Sequence, residues 1–434
     1  MMTDYGKRYH QAEAHRKGGQ FSEAEEIFRG LWNEYPNPNV GWRWIYCLRK
    51  LESLEKAIEA ARQVGASFPG DEWVRREHAW CVYSHEVKPA QLQKDLERVV
   101  CSAQQMVELT QDELILTRAA FAVIEVAKDL GKWEVVSRWC NRLEPGKLSS
   151  ESHTYGEHKG MSDLEQWYYA KVKALVNLKQ WPEVHKLALE GAAAFPRKDD
   201  FPRWAAQARA YEGDMAGAAQ ELEDIIRRGN AQWYILSDLA RMKLRLGQRE
   251  EALRVACRAA LAFGEDKAKV NLFSLLAELG LALQQVEFAA YHVALAKAVR
   301  QREGWPLKDD LLLLEQQVNE SLTGSAPVAL PTDLRRLLSA CQAMWHKQVV
   351  AGKPRYTGRI CNLPAGKKFG FIAPDGGGEN IHVPLRDLPL AAQRVGACVE
   401  YSLEPSFDHK KNRESVRAVD VRVATSSEAG KSGR

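Results

Sequence analysis

With 434 residues, 45% of them hydrophobic and 27% charged, the chain has the composition of an ordinary folded protein and is too long for one compact core, so several units or a repeat array are expected. No stretch nears the roughly 18 uncharged apolar residues of a membrane span, and the opening residues hold no apolar run, so a cytoplasmic protein with no membrane partner is expected. The net charge of +4 is uneven: residues from 325 onward carry +7, which leaves −3 on the first 324 and places any polyanion in the C-terminal quarter.

Eight cysteines, at 47, 81, 101, 140, 257, 341, 361 and 398, include no C-x-x-C pair. Neither a zinc ribbon nor a disulfide framework is indicated, and the thiols are expected as small buried groups in a reducing compartment.

From the N-terminus, self-similarity sets the architecture. Ala24 and Pro36, Ala57 and Pro69, and Val184 and Pro196 all stand twelve residues apart; Ala24 to Ala57 is 33 residues, and Val184 to Ala218 to Ala252 is 34 and 34. Segments such as FSEAEEIFRGLWNEYP, LEKAIEAARQVGASFP and REEALRVACRAALAFG share a polar turn, a small residue, an amphipathic helix and a breaker. The period is that of a helix-turn-helix repeat, predicting about eight helix pairs between residues 3 and 300 and a closing helix near Leu307 to Leu322. The phase blurs between Asp71 and Cys140, and SSESHTYGEHKGMS at 149–162 reads as a loop insertion. The thirteen tryptophans are expected mostly at seams between repeats.

These segments resemble the tetratricopeptide repeat (TPR) family, with Ala12, Ile45, Val172 and Ala240 where the family usually has glycine. The resemblance implies a superhelical solenoid over residues 1–322 whose concave face takes a protein or peptide, the other reading being a spacer or dimerisation scaffold.

TGSAPVALPTD then breaks the helical periodicity, and Asp333 is placed to cap a helix running through Lys347 with Leu334, Leu337, Leu338, Cys341 and Trp345 on one face. Residues 323–353 are thus a linker and connecting helix. From 354 to 424 short alternating segments follow: YTGRICNL, KKFGFIAP, ENIHVPL, CVEYSLEP and SVRAVDVRV. Five such strands predict a small closed barrel of the OB type, with the glycine-rich turn at 375–380 joining the second to the third. The tail, 425–434, has the composition of a disordered segment.

The barrel region resembles the cold-shock family. Lys367-Lys368-Phe369-Gly370-Phe371-Ile372-Ala373-Pro374 is similar to its first RNA-binding motif, K-G-F-G-F-I-x-P; Asn380 to Leu385 stands where V-F-V-H-F is expected, and Ala418 to Val421 is similar to the closing A-x-N-V. Alternate strand residues share a face, so Phe369, Phe371 and His382 are expected to form one platform on which unpaired bases stack, with Lys367, Lys368, Arg359, Arg386, Lys410, Lys411 and Arg413 as phosphate contacts. The other reading makes the two phenylalanines core residues. Asn362 stands in place of the family's first-strand Trp, Leu363 in place of a following Phe, and His382, Pro384 and Leu385 replace further aromatic and His positions, so the platform is smaller and its affinity is expected to be micromolar or weaker.

No Walker loop, G-x-S-x-G, H-E-x-x-H or dinucleotide fingerprint occurs. His153 and His158 with Glu151 and Glu157 fit no common metal-ligand spacing, and the pairs Asp199-Asp200 and Asp309-Asp310 are expected at helix starts. The whole describes a non-enzymatic adaptor without cofactor or metal, whose barrel binds single-stranded RNA or DNA while the repeats recruit a protein. The alternative is a protein-interaction scaffold whose barrel has lost nucleic-acid affinity.

Overall fold

In the computed structural model, which describes residues 4–155, 158–228, 232–323, 328–352, 354–408 and 413–424, the chain packs as two compact units, 1–197 and 198–434. The first holds α1 (Asp4–Lys17), α2 (Phe21–Glu34), α3 (Pro38–Lys50), α4 (Leu54–Ser67), α5 (Glu72–Val82), a π-helical turn (Tyr83–Val87), α6 (Lys88–Leu92), α7 (Leu96–Leu109), α8 (Glu113–Asp129) and α9 (Trp133–Cys140). A two-residue ladder, β1 (Thr154–Tyr155) and β2 (His158–Lys159), lies in the expected insertion, before α10 (Asp163–Asn177) and α11 (Trp181–Ala194).

The second unit continues with α12 (Asp200–Tyr211), α13 (Met215–Arg228), α14 (Trp233–Arg245), α15 (Arg249–Leu261), α16 (Val270–Ala282), α17 (Val286–Arg302), α18 (Asp309–Ser321) and α19 (Leu334–Val350). It ends in β3 (Arg355–Asn362), β4 (Phe369–Pro374), β5 (Ile381–Pro384), β6 (Cys398–Asp408) and β7 (Arg413–Val423). The architecture is a TPR-like array of helix pairs followed by a small closed five-stranded barrel.

Two features make the repeat physical. The fourth residue of each second helix is small or β-branched and fully buried: Ala24, Ala57, Val99, Val136, Val184, Ala218, Ala252 and Ala289. A short side chain there lets neighbouring helices approach closely. Each pair also turns through one left-handed residue: Gly19, Glu52, Lys94, Gly131, Lys179, Gly213, Gly247 and Gln284. Eight pairs are therefore present among the described residues. The blurred stretch holds two further pairs, whose landmarks Val99 and Val136 stand 42 residues after Ala57 and 37 residues further on; the π-helical turn and α6 lengthen the third pair. Ala12, Ile45, Val172 and Ala240 are all fully buried, packed where glycine is usual in the family. Asn37, Asp71, Asp95, Asp112, Ser162 and Asp333 cap their helices by accepting from the backbone three residues on.

One expectation needs correction. Five cysteines are buried, and burial pushes the thiols of Cys47, Cys81, Cys140 and Cys341 up to about 12, but Cys101 and Cys398 are exposed. Tryptophans pack between neighbouring helices as expected, in the Trp32–Trp44 and Trp42–Trp73 stacks at 6.2 and 5.4 Å, with Trp73 half exposed. Asp309 and Asp310 sit in the first turn of α18, whereas Asp199 forms no side-chain cap on α12.

The connecting helix α19 packs on α15 and α17 through Leu337, Cys341 and Trp345. The Trp345 ring stacks on Phe273 at 5.9 Å and its Nε1 donates to His292 Nε2 at 2.6 Å, while His292 Nδ1 donates to the Phe288 carbonyl at 2.6 Å. Both ring nitrogens are thus used by the neutral imidazole, and complete burial holds His292 down at about 4.

The barrel closes in the order β3-β4-β5-β7-β6, with β5 and β7 parallel and every other pair antiparallel. Its core is built from Ile360, Ile372, Val383, Val399, Tyr401, Ala418 and Val421 with Leu388 and Ala392 from the β5–β6 connection. Gly377 and Gly378 turn the chain between β4 and β5 with φ of 77° and 109°.

Candidate nucleic-acid interface

Strand alternation decides which side chains the barrel displays. Gly370 and Ile372 of β4 point inward, so Phe369, Phe371 and Ala373 share the outer face. Gly370 is required there: a Cβ on it would meet Leu363 Cδ2 at 2.5 Å and the Asn362 carbonyl at 2.9 Å. The motif F-G-F thus combines two outward rings with one inward position that has no room for a side chain.

Register then brings His382 opposite Phe371 and Pro384 opposite Phe369. The three rings form one cluster, with centroids 5.7 Å apart for Phe369–Phe371, 5.3 Å for Phe369–His382 and 5.9 Å for Phe371–His382, each ring half-buried. They are outside the barrel core, which answers the alternative that the phenylalanines are core residues.

Around them the charged candidates separate. Arg359 pairs with Ala373 across β3–β4 and is exposed on the same face; Lys367 and Lys368 are exposed where the chain enters β4. Arg413 opens β7, but its side chain and that of Arg386 lie outside the described positions, as do Lys410 and Lys411 altogether. Asn362 is the partner of Phe371 beyond a register shift that follows Ile360, and it stands exposed beside the rings.

Sequence reasoning missed two residues on this face. Arg417 lies beside His382 through the parallel β5–β7 pairing, and Glu404 faces Arg417 across β6–β7. The Glu404 carboxylate, 7% exposed, accepts from Arg417 at 2.8 Å and from Arg258 of α15 at 3.1 Å. The outer face therefore runs from half-buried aromatic rings to a carboxylate clamped against the helices. Only the knowledge that β7 returns parallel to β5 would have revealed this row.

His153 Nε2 donates to Asp163 Oδ1 at 2.8 Å at the start of α10; Glu157 and the side chain of His158 lie outside the described positions. Among the described residues no group of three or more His, Cys, Asp or Glu is placed to hold a metal ion, and no helix is long and apolar enough to cross a membrane.

A family model described as tetratricopeptide repeat matches residues 8–38, which cover most of α1, all of α2 and the turn into α3. Solved structures similar to this chain include a tetratricopeptide repeat protein from Parabacteroides merdae, 11% identical with a TM-score of 0.30, covering 62% of this chain and 98% of its own. YrrB, a TPR protein with an unusual peptide-binding site, is 12% identical with a TM-score of 0.33, covering 46% of this chain and 91% of its own. The TPR2AB-domain:pHSP90 complex of yeast Sti1 is 14% identical with a TM-score of 0.27, covering 73% of this chain and 98% of its own. No curated protein matches the chain.

Proposed function

We propose that this protein is a non-catalytic adaptor that binds single-stranded RNA or DNA through its barrel and a protein partner through its helix pairs. The observation that carries the reading is the cluster of Phe369, Phe371 and His382, three half-buried rings within 6 Å of one another on the outer face, with Arg359, Lys367 and Lys368 exposed around them. Rings so placed stack on bases without regard to sequence, and cations beside them track phosphates. The resemblance of Lys367 to Pro374 to the cold-shock motif points the same way, as does the +7 charge from residue 325 onward. Stacked helix pairs present extended surfaces that suit recruitment of a protein.

A second reading has its own observation. The barrel is fastened to α15 by a buried carboxylate, and Asn362 stands where a further ring would enlarge the platform. Both features suit a barrel kept as a docking module in a protein-interaction scaffold. Titration of labelled single strands against the full chain and against Phe369→Ala/Phe371→Ala separates the two: binding lost with the rings supports the first reading, and no binding supports the second.

A further inference from the structure

Beside the ring cluster lies a cavity of about 410 Å³ lined by Lys368, Pro384, Leu385 and Gln393, a size within the roughly 300–1,000 Å³ of small-molecule sites. It adjoins the platform by construction: Lys368 directly precedes Phe369, and Pro384 is the register partner of Phe369. Its walls are two apolar side chains, a carboxamide and a cation.

The carboxamide is held in one orientation. A short 3-10 turn, Leu390–Ala392, delivers Gln393, whose Nε2 donates to the carbonyls of Leu388 at 2.9 Å and Leu385 at 3.4 Å. With the amino end spent on the loop, Oε1 faces away from those carbonyls and takes no hydrogen bond from the described residues. A half-buried acceptor beside a flat apolar wall and a lysine is a complementary surface for a base with an outward amino group.

Resting on the proposed single-strand binding, we infer that this cavity is a base-reading subsite that takes cytosine or adenine, with the ring against Pro384, the exocyclic amino group donating to Gln393 Oε1 and the phosphate beside Lys368. Uracil carries a carbonyl oxygen where cytosine carries the amino group and is disfavoured by the same atom. The platform supplies affinity; this pocket supplies preference.

The test is fluorescence anisotropy of the full chain with labelled oligo-C and oligo-U of equal length. One ordinary hydrogen bond corresponds to about a fivefold preference for oligo-C. Gln393→Leu is expected to bring that ratio to about one while oligo-U binding stays, which shows that the variant still folds and binds. Equal binding of the two oligonucleotides by the unmodified chain, or a preference that survives Gln393→Leu, overturns the pocket and leaves the platform standing. Failure of the unmodified chain to bind either strand overturns the platform and the pocket together.

Discussion

Arg258 of α15 reaches the Glu404 carboxylate of β6 at 3.1 Å, and by this contact a helix of the array grips the barrel. Arg417 takes the same carboxylate from the other side. Glu404→Ala leaves two guanidiniums without their anion; each is about one-third exposed and keeps much of its hydration, so the expected cost is about 1–2 kcal/mol. Hydrogen exchange of β6 and β7 amides in the full chain is expected to quicken about tenfold. Unchanged exchange would show that the packing of α13 on β6 holds the barrel without the clamp.

Trp345 and His292 form the corresponding joint for α19. His292 is neutral and its folded pKa lies well below that of an exposed imidazole, so its stabilising contribution is fully present above the unfolded value near 6.5 and is lost as pH falls toward about 4. Across that window the second unit is expected to lose on the order of 3 kcal/mol from this group, read as a falling midpoint in urea, with His292→Gln flattening that part of the profile. Trp345→Phe leaves a buried imidazole nitrogen without its donor and is expected to cost about 1–3 kcal/mol.

Gly370→Ala tests the inward half of the F-G-F motif. The added methyl group meets a leucine side chain and a backbone carbonyl, so the barrel is expected to lose about 1–3 kcal/mol in thermal or chemical unfolding. A neutral effect would mean that β3 shifts freely at its bulge.

Gln284 turns α16 into α17 at φ 58° with its side chain exposed. Gln284→Gly removes left-handed strain of roughly 1–2 kcal/mol and adds unfolded-chain entropy, for an expected net gain of about 0.5–1 kcal/mol in the stability of the second unit. A loss would show that Gln284 contributes contacts beyond its backbone.

The repeat was legible wherever its landmark was alanine before a closing proline, as at Ala24 and Ala57. It blurred at Val99 and Val136, where no proline stands twelve residues on, as one does after Val184, and where a π-helical turn lengthens the third pair. Within the barrel, period-two alternation was enough to put Phe369 and Phe371 on one face. His382 joined them because a short glycine turn fixes the β4–β5 register. Arg417, Glu404 and Gln393 were not legible: their places depend on the parallel return of β7, on docking against α15 and on a loop turn, none of which leaves a local pattern.

The most direct measurement is the salt-dependent anisotropy of a short labelled single strand against the full chain and its Phe369→Ala/Phe371→Ala variant. Three exposed cations, Arg359, Lys367 and Lys368, predict a log–log salt slope of about −2 for a single strand, and removing two stacking rings predicts at least a tenfold loss of affinity from a micromolar start. Binding that is indifferent to both rings, or no binding at low salt, would contradict the account and leave the barrel as a docking module.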